Sequence, residues 1–460
     1  MALKEEHQVF NHSPRKHILL ITNHGCHAPA VRVTVDTGGQ NIYINHLSRA
    51  LIRSGYKITI INRGGFPHPV TGEKQAGITY YHQVWGETGA YCRIIYLEDG
   101  IDQFIPKEKL TVNNLEKEKD FFFEVAPEIK FNLEDIYFIS SHYWDGGILG
   151  ILLTEEMKRK GISVPAHVWT PHSLGILKKE RYRDAPRETI ESFRFPYRIA
   201  QEEKCIAQTD GVVSTSREIG KTLKKYKSQP KHIFWLPPAV DTELFYPREV
   251  DQCPLGIEVL KETLGRTKEE TYQLVQERVV FLEISRTAKT KQKELVLTAF
   301  SQIKNREQAL LIMNIDPNSP LHPEIMKTYE NLPYSDNIVL IDRFLAEEEV
   351  VELFSLADVF VTASQMEGWG MAVQEGAASR CAIISSPYVP FVTEVLKEKA
   401  IVVENNSPAS YREKIDLLIE QPQLREELAE AAYQMLTTKY SWLNLSQEFI
   451  LEMKRANLID

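Results

Sequence analysis

The chain has 460 residues, 43% hydrophobic and 25% charged, with a formal net charge of −9. That is an ordinary globular mix and more than one hydrophobic core normally serves, so two domains are expected. The two signs of charge are interspersed and no basic footprint for nucleic acid or an anionic membrane is present.

No apolar run approaches the ~18–20 residues that span a bilayer. The leading segment MALKEEHQVFNHSPRKH has no apolar centre of the signal-peptide kind. Five scattered cysteines (Cys26, Cys92, Cys205, Cys253, Cys381) make neither a disulfide framework nor a CxxC metal site. A cytoplasmic protein is expected.

In chain order, short β-branched runs alternate with helical patterns. Strands are expected at His17–His24, Lys57–Ile61, Ile136–Ser140, Ala166–Thr170, Val212–Thr215 and His232–Leu236. A second series follows at Val279–Ile284, Ala309–Asn314, Asn337–Ile341, Asp358–Thr362, Ala382–Ser385 and Ile401–Val403. Such alternation predicts βαβ units and parallel sheets. Between the two series, Phe245 to Arg278 has helical periodicity and no strand, which places the domain junction there. The expectation is an α/β protein of two doubly wound, Rossmann-like domains, residues 1–245 and 246–438, facing across a cleft. Residues 439–460 form an amphipathic helix, near Trp442–Ala456, crossing back to the first domain. Ligands of such sheets bind beyond the carboxyl ends of the strands.

Three constellations fall at those ends. After the first strand, Asp36-Thr37-Gly38-Gly39-Gln40 leads into a helix from about Asn41 to Arg53. Its glycines allow close backbone approach, and its free N–H groups suit a hydroxyl-rich or anionic ligand. A helix N-cap by Asp36 or Thr37 alone would account for the same pattern. The loop is too long for a dinucleotide fingerprint, and the second strand ends in Asn62-Arg63 without the expected acid.

The second constellation is Ser141-His142-Tyr143-Trp144-Asp145-Gly146-Gly147 together with Thr170-Pro171-His172-Ser173-Leu174-Gly175. Asp145 reads as a helix N-cap, and His142 fits a satisfied core histidine as well as a site residue. His172 between Pro171 and Ser173 looks less like core. Lys178 and Lys179, with Arg194 and Arg198 on the next helix, form a candidate basic pocket for a phosphomonoester; a solvated helix face is the alternative.

The third lies in the second domain, where Glu367-Gly368-Trp369-Gly370-Met371-Ala372-Val373-Gln374-Glu375 follows a strand. The N–H groups of Gly370, Met371 and Ala372 make an anion cradle at a helix start. Glu367 and Glu375 flank it, and Arg286 with Lys291 bring positive charge from another strand end.

Together these residues resemble the retaining glycosyltransferases of GT-B fold in the sucrose-phosphate synthase group, over about residues 17 to 440. The resemblance rests on Asp36-Thr37-Gly38-Gly39-Gln40, Pro106-Lys107-Glu108, His142-Tyr143, His172-Ser173-Leu174-Gly175, Arg286 with Lys291, and Glu367/Glu375. The wording around His142 and His172 is closest to mannosylfructose-phosphate synthases, which use GDP-mannose. The resemblance implies transfer of a hexose from UDP-glucose or GDP-mannose to a phosphorylated sugar, with fructose 6-phosphate as the first candidate. It implies Arg286 and Lys291 on the donor diphosphate, Glu375 on the ribose, Glu367 on the donor sugar and His172 near the reacting face. Gly39 and Gln40 would hold the acceptor sugar, and Lys107, Tyr143, Ser173, Lys178 and Arg198 its phosphate. No Asp-x-Asp metal site is present, so no metal or cofactor is expected. A sugar-phosphate phosphatase is the expected downstream partner.

The run from Ser379 to Phe391 lacks the Gly-x-Pro and Gly-Gly features usual after the second glutamate, and Met366 and Trp369 replace commoner neighbours of Glu367. The alternatives are another anionic acceptor, such as a glycosylated phosphoglycerate or a lipid-linked sugar, or a catalytically silent sugar-nucleotide sensor.

Overall fold

The computed structural model describes residues 2–25, 39–68, 72–81, 85–183 and 186–460. Two compact units emerge: Met1–Pro237 with Leu445–Asp460, and Pro238–Asn444.

Among its described residues the first unit has eight strands: β1 (His17–Ile21), β2 (Lys57–Arg63), β3 (Gly77–Tyr80), β4 (Cys92–Leu97), β5 (Ile136–His142), β6 (Ala166–Thr170), β7 (Gly211–Ser214) and β8 (Ile233–Trp235). Their order is β3-β4-β2-β1-β5-β6-β7-β8, parallel except for the antiparallel β3–β4 pair. The central strands β1 and β2 are buried along their whole length, as parallel strands covered on both faces must be. Strand order reverses between β2-β1 and β5, the switch point where doubly wound sheets hold ligands.

Sequence patterning missed β3 and β4. β4 carries an arginine in its apolar run, and Arg93 is only 1% exposed. Its Nε donates to Thr59 Oγ1 at 3.0 Å, and its guanidinium lies 4.1 Å from the Phe10 ring centre. Phe10 comes from an unexpected N-terminal helix, Ala2–His12. At the other end of the chain, the helix Trp442–Arg455 places Phe449 against Phe138 and Phe234, with ring centres 6.2 and 5.9 Å away.

The second unit has six parallel strands: β9 (Val279–Glu283), β10 (Ala309–Ile315), β11 (Ile338–Asp342), β12 (Val359–Thr362), β13 (Ala382–Ser385) and β14 (Ile401–Val402), in the order β11-β10-β9-β12-β13-β14. The segment before it packs here: Phe245 meets Phe354 edge to face at 5.6 Å, and Pro238 O accepts from Gln374 Nε2 at 2.9 Å. The helices Pro254–Leu264 and Lys268–Glu277 occupy the strandless stretch. The first begins on Glu352, which accepts hydrogen bonds from the N–H groups of Leu255 and Gly256.

One buried group in the first unit is uncompensated. Glu118, on the helix Val112–Glu128, is 0% exposed, and among the described residues neither its carboxylate oxygens nor the amide of nearby Asn23 has a hydrogen-bond partner. Burial, with Asp99 and Asp145 close by, holds its carboxyl well above the usual carboxylate range, against the pull of Asn23 and Arg63. A carboxyl whose folded pKa exceeds its unfolded value of ~4.3 costs nothing below that value. It subtracts stability as pH rises toward the folded pKa. Glu118→Gln therefore raises the melting temperature at pH 7.5 relative to wild type, by ~1–3 kcal/mol of stability, and the gain shrinks toward pH 4.5. Thermal denaturation across pH checks this; an equal or lower melting temperature at pH 7.5 contradicts it.

Candidate active site

In the first unit, β5 ends at His142 and runs straight into the helix Tyr143–Arg159. β6 ends at Thr170 and leads through Pro171, His172 and Ser173 to the helix Gly175–Arg181. Tyr143 and His172 have φ of 64° and 54°, a left-handed conformation that costs non-glycine residues energy and clusters at functional sites.

The strain brings two imidazoles together. His142 Nδ1 lies 2.9 Å from His172 Nε2, with the rings stacked at 5.2 Å. Tyr43 meets His172 edge on at 4.9 Å. Burial, and secondarily the charge of His24, pushes the His172 pKa down to about 3. His172 is therefore neutral at physiological pH, and which nitrogen of the contact donates depends on the tautomer. His142 is fully buried, while His172 is half-buried. Asp145 does not cap the helix as expected, because His142 takes the cap position. Asp145 lies in the first turn instead, its Oδ2 2.9 Å from His24 Nδ1 at the end of β1. Gln40 Nε2 donates to Thr22 Oγ1, beside the same strand end, at 2.9 Å. Gly39 is the first residue of its helix. Asp36, Thr37 and Gly38 lie outside the described residues.

Of the five residues expected around an acceptor phosphate, Lys107, Tyr143 and Arg198 line one pocket, Ser173 bonds Arg198, and Lys178 approaches Glu108 of the same pocket. Arg198 Nη2 donates to Ser173 O at 2.7 Å and Ser173 Oγ at 2.9 Å. Its guanidinium sits 4.5 Å from the Tyr143 ring centre. Lys107 Nζ and Lys178 Nζ each lie 4.0 Å from Glu108 Oε1. A pocket is lined by Lys107, Glu108, Tyr143, Arg194, Tyr197 and Arg198, among others.

Arg194 lines the pocket but also serves the backbone. Its Nη1 donates to the carbonyls of Glu108 and Leu110, at 3.3 and 3.4 Å, so it clamps the Lys107 segment. Tyr197 adds a second clamp through its hydroxyl, which accepts from Val112 N at 3.0 Å. Sequence reasoning missed Glu202. It is 1% exposed, accepts from Gly175 N with both oxygens and from Arg198 Nε at 2.7 Å, and also bonds the Tyr226 hydroxyl. The four-residue spacing of Arg198 and Glu202 on one helix was the available signal.

In the second unit, Gln365 N donates to Thr290 O at 2.7 Å, tying the loop after β12 to the loop after β9. Lys291 and Glu367 consequently form an ion pair, and Ser364 Oγ donates to the same Glu367 oxygen at 3.2 Å. Beneath them a second pair, Lys293–Glu283, is 1% exposed on both sides. Its lysine also donates to Asn314 O at 2.7 Å. Arg286 is exposed in the loop after β9, and Glu375 is half-buried on the helix Met371–Ala378.

That helix begins at Gly370, whose φ is 113°. The segment without glycines packs on it. A Cβ at Gly370 would lie 2.5 Å from Val389 Cγ1, and Trp369 meets the Phe391 ring at 5.9 Å. Among the described residues, no cluster of three or more His, Cys, Asp or Glu side chains could hold a metal ion. No helix among them is long and apolar enough to cross a membrane.

Two family models match the chain in succession: "Glycosyltransferase Family 4" over residues 37–244 and "Glycosyl transferases group 1" over 266–435. The chain is 28% identical to a mannosylfructose-phosphate synthase of Agrobacterium fabrum, an alignment covering 79% of this chain and 74% of the relative. It is 24% identical to a probable sucrose-phosphate synthase of Thermosipho melanesiensis, covering 92% of each. A solved sucrose-phosphate synthase from Thermosynechococcus elongatus superposes with a TM-score of 0.69 at 21% identity, over 96% of this chain and 99% of that one. The chain is a glycosyltransferase of the GT-B type. Among such enzymes it is related to the sucrose-phosphate and mannosylfructose-phosphate synthases.

The geometry at Gly370 predicts a sharp local contrast. Gly370→Ala destabilises the second unit by ~2 kcal/mol or more, through both the positive φ and the Val389 contact. A Cβ at Gly368 would meet nothing within 4 Å, so this position tolerates alanine within ~0.5 kcal/mol. Chemical denaturation of the two variants checks the pair; equal stability would contradict it.

Proposed function

We propose that this glycosyltransferase moves a hexosyl group from a nucleoside-diphosphate sugar, UDP-glucose or GDP-mannose, to a sugar phosphate, with fructose 6-phosphate the first candidate. The observation that carries the reading is the convergence of Lys107, Tyr143, Ser173, Lys178 and Arg198 from separate segments of the first unit. Three cations and two hydroxyls in one place suit a phosphate dianion. The names of the two curated relatives support the same acceptor class.

Arg286, Lys291 and the N–H groups of Gly370, Met371 and Ala372 would take the charge that builds on the leaving diphosphate. Because that charge is larger in the transition state than in the bound donor, these contacts lower the barrier rather than merely tightening binding. Glu367, held by Lys291, would accept from hydroxyls of the donor sugar, and Glu375 from the ribose. His172, neutral through burial, would offer a hydrogen bond near the reacting face without adding a competing charge. Retention of anomeric configuration follows if a leaving phosphate oxygen takes the acceptor's proton on the same face. The product would be a phosphorylated disaccharide, a substrate for a sugar-phosphate phosphatase.

Two experiments test the reading. In calorimetry without added divalent metal, wild type binds UDP or GDP, and Lys291→Ala loses ~1–3 kcal/mol of that affinity. Unchanged affinity removes Lys291 from the donor site. In turnover assays, a hexose phosphate exceeds its unphosphorylated parent by at least ~100-fold in kcat/KM, about 2.7 kcal/mol. Lys107→Ala and Lys178→Ala remove most of that preference and leave nucleotide binding intact. Arg198→Ala is a poorer probe, since it strands the buried Glu202 carboxylate, a loss of ~3–5 kcal/mol in stability. Equal use of free fructose or glucose would overturn the phosphate assignment.

A further inference from the structure

The cluster assigned to the acceptor phosphate contains two carboxylates, and they differ in how they are held. Glu202 is locked: it is buried and accepts hydrogen bonds from Gly175, Arg198 and Tyr226. Among the described residues, Glu108 is held by charge alone. Its Oε1 stands 4.0 Å from both Lys107 Nζ and Lys178 Nζ, with the three side chains each 21–25% exposed. Its carboxylate makes no hydrogen bond among the described residues, whereas its backbone carbonyl is fixed by Arg194. The side chain can therefore swing while its own chain segment stays in place. It also lines the same pocket as Lys107, Tyr143 and Arg198.

We propose that Glu108 is an internal counter-ion which the acceptor's phosphate displaces, keeping the basic pocket partly neutralised until an anion enters; the inference rests on the phosphate reading of this pocket. With Glu108 in place the two ammonium groups share one carboxylate, and the pocket's positive charge is partly neutralised before a ligand arrives. A phosphate monoester carries a charge of about −1.5 to −2 near neutral pH. It outcompetes a single carboxylate for the lysines and repels it. A singly charged ester gains little from the exchange. Glu108 therefore weakens the binding of every anion to this pocket, and of a dianion more than a monoanion, because its repulsion scales with the ligand's charge.

The test measures fructose 6-phosphate and fructose 6-sulfate binding by calorimetry, with wild type, Glu108→Gln and Glu108→Ala. The ion pairs are long and partly exposed, so both variants should fold with near-wild-type melting temperatures. Both should bind the phosphate ester more tightly, by ~10-fold or ~1.4 kcal/mol, and the sulfate ester more tightly by a smaller factor, so that the preference between them widens. Free fructose should be unaffected. Weaker or unchanged phosphate binding in either variant would overturn the proposal, showing Glu108 to be a support for the lysines. Wild type failing to bind any hexose phosphate would instead overturn the phosphate reading itself, and this inference with it.

Discussion

Deep in the first unit, one carboxylate gathers the elements on which the site stands. Glu202 receives the N–H of Gly175, where a helix begins, and so places negative charge at the positive end of that helix. From the same position it fixes Arg198, which then reaches Ser173. A buried pair of this kind contributes modestly to net stability because desolvation offsets attraction, but leaving either charge alone is severe. Its value lies in geometry: the helix Phe195–Gln208, the β6 loop and the Tyr226 hydroxyl are all registered against one side chain.

The same logic appears in the second unit with the polarity changed. The buried Lys293–Glu283 pair lies just below the loop that presents Arg286 and Lys291. Lys293 also holds the carbonyl of Asn314 at the end of β10. Two neighbouring strand ends are thereby fixed before any ligand arrives, which is what preorganised electrostatic catalysis requires. Where family resemblance leads one to expect glycines, this chain instead seats Val389 over Gly370 and Phe391 against Trp369. The helix start is thus buttressed by apolar packing, and Gly370 retains the left-handed backbone that the turn needs.

Strain marks the first unit's site more than the second's. Tyr143, His172 and Arg194 all adopt left-handed conformations, and all three point to one region. Such residues persist only where surrounding contacts over-determine them. Here those contacts are the His142–His172 bond, the Arg198–Tyr143 stacking and the Arg194 clamp on Glu108 and Leu110.

By itself the sequence determined the two parallel α/β sheets, because alternating β-branched runs and helical periods leave few other solutions. It also determined which residue types stand at the strand ends. It did not reveal β4, since a buried arginine breaks the apolar run and only Thr59 and Phe10, distant in sequence, make it tolerable. It read Asp145 as a cap, although the partner that claims its carboxylate, His24, lies in the loop after β1. Tertiary structure alone separated the roles of chemically similar groups: Arg194 to backbone carbonyls, Arg198 to a buried carboxylate, and Lys107 and Lys178 to a partly exposed one. The reason is physical. Residue type fixes what a side chain can bond, but burial and competing partners across the fold decide which bonds it makes.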